Sequence, residues 1–203
     1  MLHYETIAPE TLRLLNGLMA EPLLAETRLV GGTALALQMG HRSSVDLDLF
    51  GYFSCDDIQL REVLSSYGKL QVINCSKNVK LFTIDGIKVD VVNYDSLWID
   101  DMVIQDGLRL ASVKKIAAMK VRAIVGRVTR KDFVDLYYLL HQFSMTEILN
   151  LFRQKYPEVN EFLVIRSLTY FEDAEQAPMP VMHTSTPWET MKEHISKSVI
   201  EVI

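Results

Sequence analysis

Asp46-Leu47-Asp48 sets two carboxylates one residue apart inside the alternating run Val45 to Phe50. In a strand, residues two apart project from one face, so the pair points together, about 7 Å apart, opposite Val45, Leu47 and Leu49. Like charges on a half-buried strand repel and lose hydration, and a divalent cation removes both penalties. Oxygen-only ligands favour magnesium or manganese over zinc. Asp90, in Ile87-Lys88-Val89-Asp90-Val91, offers a third carboxylate if its strand lies beside the first. Upstream, Gly31-Gly32-Thr33 stands between a short strand candidate and an apolar helical run. Backbone N–H groups at a helix N-terminus bind phosphate, and Thr33 adds a hydroxyl donor. Metal and phosphate devices in this order suit one crevice.

Each device has a plainer explanation. A D-x-D also occurs on a sheet with one wet face, and a double glycine also serves as a tight turn. Rival D-x-D chemistries fit less well. A haloacid-dehalogenase-like site wants D-x-D-G-T, whereas Asp48 is followed by Leu49-Phe50-Gly51. A glycosyltransferase D-x-D follows a larger nucleotide-binding region, and an EF-hand loop continues with further oxygen ligands.

Downstream, Val113, Ile116, Ala117, Lys120, Ala123 and Ile124 form a stripe at helical spacing. Lys120 therefore falls on an apolar face, where its ammonium needs either water, reached by snorkelling, or a phosphate or carboxylate partner. Asp132 and Asp135 are three apart and share one helical face. They read either as helix N-terminal and Lys131-paired acids, or as groups that bind a nucleotide or orient an acceptor. Arg42 follows the glycine helix closely enough to reach a phosphate, with His41 beside it.

The elements that must position these residues follow from periodicity. Helices are expected over Pro9 to Ala25, Thr33 to Met39 (with Gly40 as terminator) and Cys55 to Tyr67, the last capped by Ser54. Strands are expected at Arg28 to Val30, Val45 to Phe50, Lys69 to Asn74, Val79 to Ile84 and Ile87 to Val92, with Asp85-Gly86 as a hairpin turn. From Ser112 the pattern turns helical: Ser112 to Val125, Arg130 to Phe143, Met145 to Tyr156 and Val159 to Tyr170. Glu172 to Pro187 reads as an irregular surface segment before a last short helix. The chain thus divides into a mixed α/β core over 1–105 and a helical region with a proline-containing tail over 106–203, the boundary falling near Asp100 to Gly107.

The bulk composition sets limits. With 203 residues, 49% hydrophobic and 23% charged, the chain can bury a core. No apolar run approaches a membrane span, and the first residues lack a signal-peptide pattern. Cys55 and Cys75 have no metal or redox spacing and are expected to be reduced thiols of a cytoplasmic protein. A net charge of −5 argues against a globally nucleic-acid-binding surface. Between Gly107 and Lys131, however, Arg109, Lys114, Lys115, Lys120, Arg122, Arg127, Arg130 and Lys131 occur without an acid, a segment suited to a polyanion or to an ordinary solvated helix.

Several runs together resemble the AbiEii/AbiGii nucleotidyltransferase toxin family. They are Gly31 to Leu37, His41-Arg42, Ser44 to Phe50, Met119 to Ile124, Gly126-Arg127, Lys131 to Tyr137 and Ser167 to Ala174. The resemblance spans nearly the whole chain. It implies an α+β, DNA-polymerase-β-like nucleotidyltransferase fold: a mixed sheet flanked by helices, then a C-terminal helical region. By the same resemblance Gly32 and Thr33 match the superfamily's Gly-Ser, with Gly31 beside them. Asp46 and Asp48 match the metal pair, Asp90 the third carboxylate, Lys120 the K-x-x-A/G lysine, and Asp132 and Asp135 the D-x-x-D motif. The implied activity is magnesium- or manganese-dependent transfer of a nucleoside monophosphate from a nucleoside triphosphate to an acceptor hydroxyl such as that of tRNA. Asp46, Asp48, Asp90, Lys120 and Asp135 are then expected in catalysis. Gly31, Gly32, Thr33, Arg42, Lys120 and Asp132 are expected to bind nucleotide. The expected setting is a toxin–antitoxin or phage-defence system with an antitoxin encoded nearby. The alternative is a nucleotide-binding regulatory or interaction protein of the same fold without turnover.

Overall fold

The computed structural model describes residues 1–54, 56–94 and 98–202. Seven strands form one mixed sheet among these residues: β1 (Thr27–Val30), β2 (Leu47–Gly51), β3 (Leu70–Cys75), β4 (Val79–Ile84), β5 (Ile87–Asn93), β6 (Val103–Gln105) and β7 (Leu108–Leu110). Their spatial order is β3-β4-β5-β2-β1-β7-β6. The β1–β2 pair is antiparallel, whereas β2–β5 and β1–β7 are parallel. The helices are α1 (Pro9–Ala20), α2 (Gly31–Met39), α3 (Asp57–Ser65), α4 (Val113–Arg127), α5 (Arg130–Leu139), α6 (Met145–Lys155), α7 (Glu161–Leu168), α8 (Glu172–Glu175) and α9 (Trp188–Ile200).

Alternation decides which side of the central strands faces the core. Leu47 and Leu49 of β2, and Val89 and Val91 of β5, are fully buried; their neighbours Asp48 and Asp90 turn to the opposite face. Val45 departs from this pattern: it lies before the strand and is 62% exposed. The β4–β5 hairpin turns at Asp85-Gly86, where both residues take positive φ (48° and 83°), the backbone of a two-residue hairpin turn.

A second Asp-Gly pair shows what periodicity misses. Asp106 (φ 53°) and Gly107 (φ 80°) turn the short β6–β7 hairpin, and β7 runs parallel to β1. The sequence reading treats this region as a connection because three-residue strands are too short to show alternation. The turn dipeptide was the available signal.

Other boundaries differ in understandable ways. Pro22 ends α1 early, and a 3-10 turn spans Pro22–Leu24. Helix α3 is opened by a capping box between Asp56 and Gln59 rather than by Ser54; Cys55 lies outside the described residues. Cys75 is a free thiol. The irregular tail straps the loop after α2: Ser43 N–H donates to the Val181 carbonyl at 2.8 Å, and His183 N–H to that of His41 at 3.0 Å. Helix α4 packs against α2, α5, α6 and α7, while α9 covers α5 and α7. No described helix is long and apolar enough to cross a membrane.

Candidate functional site

Parallel pairing of β2 with β5 sets Asp48 directly beside Asp90 in register, on strands about 4.8 Å apart. Asp46 sits just before β2. These three acids border one small cavity, of about 120 Å³, with Gly31 and Gly32 at the start of α2. No side chain caps that helix, so its first-turn amides are not engaged by a capping residue. The glycines are required here. Gly31 has φ 70°, and a Cβ on it collides with the Asp48 carboxylate; a Cβ on Gly32 collides with the Arg42 guanidinium. Backbone and acid therefore approach more closely than any side chain allows.

The three acids are unevenly neutralised. Burial pushes the Asp48 carboxyl up to about 6, and the neighbouring Asp90 charge pushes the same way. Asp90 Oδ2 accepts from Lys88 Nζ at 2.7 Å, while Asp90 Oδ1 is buried without a hydrogen-bond partner. Asp46 Oδ2 meets Lys131 Nζ at 3.5 Å. Lys88 and Lys131 were not singled out as site residues from the sequence. The i, i+2 spacing of Lys88 and Asp90 was a usable signal, because it puts both on one strand face; Lys131 had none, since its partner is remote in sequence.

Behind the cavity wall lies a second set of acids that is fully compensated. Asp135 is completely buried. It accepts from Arg42 Nε at 2.7 Å and Nη2 at 2.8 Å, meets His41 Nε2 at 2.8 Å, and receives Lys120 Nζ at 2.5 Å. Asp132, equally buried, accepts from Lys120 at 3.0 Å, from Arg127 Nε and Nη2 at 2.8 Å, and from the Thr129 hydroxyl at 2.6 Å. Burial opposes ionisation of both carboxyls, yet the surrounding cations hold Asp135 well below, and Asp132 below, the ordinary carboxylate range. Lys120 keeps its proton for the same reason, the two aspartates outweighing its burial.

The contacts of the residues singled out from the sequence follow from this network. The Thr33 hydroxyl does not face a ligand; it donates to the Asp46 carbonyl and sits 2.8 Å from Ser44 Oγ, clamping the loop that enters β2. Asp132 and Asp135 do not reach the cavity, because burial turns both carboxylates onto cations of α4 and of the loop after α2. Arg42 borders the cavity, but its guanidinium is committed to Asp135 and to the Ser43 carbonyl. Lys120 finds carboxylates rather than solvent as its partner. Lys131, which one of the two readings paired with Asp135, meets Asp46. Arg127 emerges as a further site residue: held by Asp132, its side chain remains 54% exposed and borders the cavity. A second, more apolar cavity of about 150 Å³ adjoins the first, sharing Gly31, Asp48, Lys120 and Arg127 and walled by Phe50 and Met119.

The basic segment presents no continuous face. Arg109 donates to the carbonyls of Met19, Leu24 and Thr27, and Lys115 is buried beside the Tyr94 hydroxyl. Arg130 engages Glu175. Lys114, Arg122 and Arg127 are the exposed members.

The donor chemistry around Asp48 fits a hard divalent cation. The candidate ligands are carboxylates only, one oxygen is orphaned, and one carboxyl resists ionisation because it is buried and lies beside a second acid. Among the described residues no three His, Cys, Asp or Glu side chains form a ready-made metal cluster; Lys88 and Lys131 draw Asp90 and Asp46 onto themselves. A larger cavity exists elsewhere, of about 250 Å³ beside Arg13 and Tyr67, but its described lining includes no glycine helix start.

Comparison with known proteins agrees with this geometry. Residues 13–201 match the family model described as nucleotidyl transferase AbiEii toxin, Type IV TA system. An uncharacterized protein of Aquifex aeolicus (strain VF5), aq_aa25, is 31% identical over 182 residues, covering 86% of this chain and 87% of that protein. Among solved structures, JHP933 from Helicobacter pylori shares the fold at TM-score 0.57 and 14% identity, over 97% of this chain and 93% of that one. MenT4, a nucleotidyltransferase toxin (Rv2826c) from Mycobacterium tuberculosis H37Rv, does so at TM-score 0.57 and 15% identity, over 96% and 86%. The expected nucleotidyltransferase fold, mixed sheet and C-terminal helices included, is therefore present, and with the family model spanning almost its full length this chain belongs to the AbiEii family of nucleotidyl transferase toxins.

Proposed function

We propose that the chain transfers a nucleoside monophosphate from a nucleoside triphosphate to an acceptor hydroxyl, in a magnesium- or manganese-dependent reaction. The observation that carries this reading is the register of Asp48 beside Asp90, with Asp46 and the uncapped start of α2 on the same cavity. Asp46, Asp48 and Asp90 would hold the divalent ions. Bound there, the ions would supply charge stabilisation at the leaving pyrophosphate and a lower pKa for the attacking hydroxyl.

The remaining work falls to this chain's own groups. The Gly31 and Gly32 amides at the helix start orient the phosphates of the donor. Arg127, held in place by Asp132, meets phosphate oxygens at the junction of the two cavities. Fixed positions for triphosphate and acceptor give the in-line approach that phosphoryl transfer requires. Thr33, Arg42, Lys120, Asp132 and Asp135 act as positioning residues: their network fixes α4, α5 and the loop entering β2 around the acids.

An RNA acceptor such as tRNA would be met mainly through its phosphates, by the exposed cations at the cavity mouth such as Arg127 rather than by a continuous basic face. As a family member the chain would act in the cytoplasm as the toxin of a toxin–antitoxin or phage-defence pair. The test is to incubate the purified protein with each labelled nucleoside triphosphate, magnesium and total tRNA. Label should move to RNA and disappear with Asp48→Asn; equal transfer by both proteins rejects the assignment.

A further inference from the structure

We infer that Lys88 is an internal counter-ion that occupies the cation position of the acid pair and must leave it when a divalent ion arrives. The inference rests on the metal reading above and deepens it. Lys88 and Asp90 lie two apart on β5, so both project from the face that carries Asp48 on β2. The Lys88 ammonium sits 2.7 Å from Asp90 Oδ2 and borders the same cavity as Asp46 and Asp48. Without it, Asp48 and Asp90 would stand side by side facing only cations held by other aspartates: Arg42 by Asp135, Lys120 by Asp132 and Asp135, Arg127 by Asp132, and Lys131 by Asp46.

The lysine is also built to move. Its side chain is 43% exposed, whereas that of Asp90 is 13% exposed. The carboxylate is fixed in the wall while the ammonium stands on a flexible stem at the mouth, with water available to it. Asp90 Oδ1, buried and unpartnered, marks what the lysine leaves undone: an ammonium satisfies one carboxylate oxygen, whereas a divalent ion carries twice the charge and accepts several oxygens. Departure of Lys88 frees the second oxygen of Asp90 for that ion. The displaced ammonium remains at the cavity rim, where an incoming polyphosphate is its natural partner.

This arrangement has a counter-intuitive consequence. Removing a cationic residue from the site should strengthen metal binding, because the ion no longer competes with it. The test is calorimetric titration of nucleotide-free protein with Mn2+ at neutral pH. Lys88→Met should bind about three- to tenfold more tightly than wild type, as expected for release from a partly exposed ion pair and from a like charge. Lys88→Arg, which keeps the charge, should stay near wild type. Unchanged or weaker binding by Lys88→Met, with binding abolished in Asp48→Asn, overturns the role of the lysine and leaves the metal reading standing. Indifference of Mn2+ binding to Asp48→Asn, or no binding by any of these proteins, overturns both. A crystal soaked in Mn2+ supplies an independent check: the Lys88 ammonium should have left Asp90, and a metal bound with that ion pair intact contradicts the inference. In chelator Lys88→Met should melt below wild type, because its acid pair has lost its counter-ion, while Lys88→Arg stays near wild type; a single cooperative unfolding transition with unchanged far-UV circular dichroism separates these outcomes from misfolding.

Discussion

Two groups of aspartates in this chain meet opposite fates. Asp132 and Asp135 are entirely buried, and each is held by several donors. Asp46, Asp48 and Asp90 border a cavity with one loose lysine contact, one closer lysine contact and one orphaned oxygen among them. Burial acts against the charge in both places. It is overridden in the first group by Arg42, Lys120 and Arg127, and it wins at Asp48, whose carboxyl rises to about 6. The compensated acids tie α4, α5 and the loop after α2 together, whereas the cavity acids keep one raised carboxyl and one orphaned oxygen, the pattern that the metal reading proposed above calls for.

Substitutions should separate the groups by the sign of their effect on stability. The largest change is expected for Asp135→Ala, which strands Arg42, Lys120 and His41 without their common partner. Loss of one member of a buried ionic network costs about 3–5 kcal/mol, read as a lower midpoint in urea unfolding. A loss below about 1 kcal/mol would place Asp135 with the cavity acids.

Asp48→Asn should move the other way. A carboxyl raised to about 6 from an ordinary 3.8 destabilises the native state when ionised. The penalty is therefore absent below about pH 4, grows as pH rises toward 6 and is complete above it. In chelator at pH 7.5 the variant should be more stable than wild type by about 1–3 kcal/mol, with the advantage gone near pH 4, while nucleotide transfer is lost. Equal stability at both pH values would remove the electrostatic contrast between the two groups.

The smallest effect is expected for Lys131→Ala. Its contact with Asp46 is 3.5 Å long between side chains that are 42% and 34% exposed, and such pairs contribute about 0–1 kcal/mol. Thermal unfolding should barely shift, by less than about 2 °C. A large shift would mean that Asp46 belongs with the structural acids.

Much of the site was legible in the chain. The alternation of Val45 to Phe50 and of Ile87 to Val92 fixes which face Asp48 and Asp90 share, because a strand repeats every two residues regardless of what lies beside it. Gly31-Gly32 before an apolar run marks a helix start that side chains cannot approach, and Lys120 on its apolar stripe demanded a partner. The β6–β7 hairpin was not legible from periodicity, since three residues per strand carry too little pattern, though Asp106-Gly107 marked its turn. Val45 belonged to the alternating run yet lies outside the strand, because pairing with β5 begins only at Leu47 and pairing with β1 only at Asp48.

The roles of the charged residues divide along the same line. Local sequence determined the face on which Asp48 and Asp90 project from their strands and that a glycine helix start precedes Asp48, because both depend on backbone geometry within a few residues; Asp46, just before β2, is brought to the same cavity with Thr33 holding its carbonyl. Tertiary structure decided which cations answer which acids. Arg42 is far from Asp135 in the chain and Lys131 far from Asp46, and only the packing of α4 and α5 against α2 and the strap from Val181 to His183 bring them together. Charge pairing depends on distance in space and on exclusion of water, neither of which spacing along the chain records. That is why Arg42, Lys120, Asp132 and Asp135 turn their polar groups on one another while Thr33 holds the Asp46 carbonyl, and why Lys88 and Arg127 join Arg42 and Lys120 at the cavity.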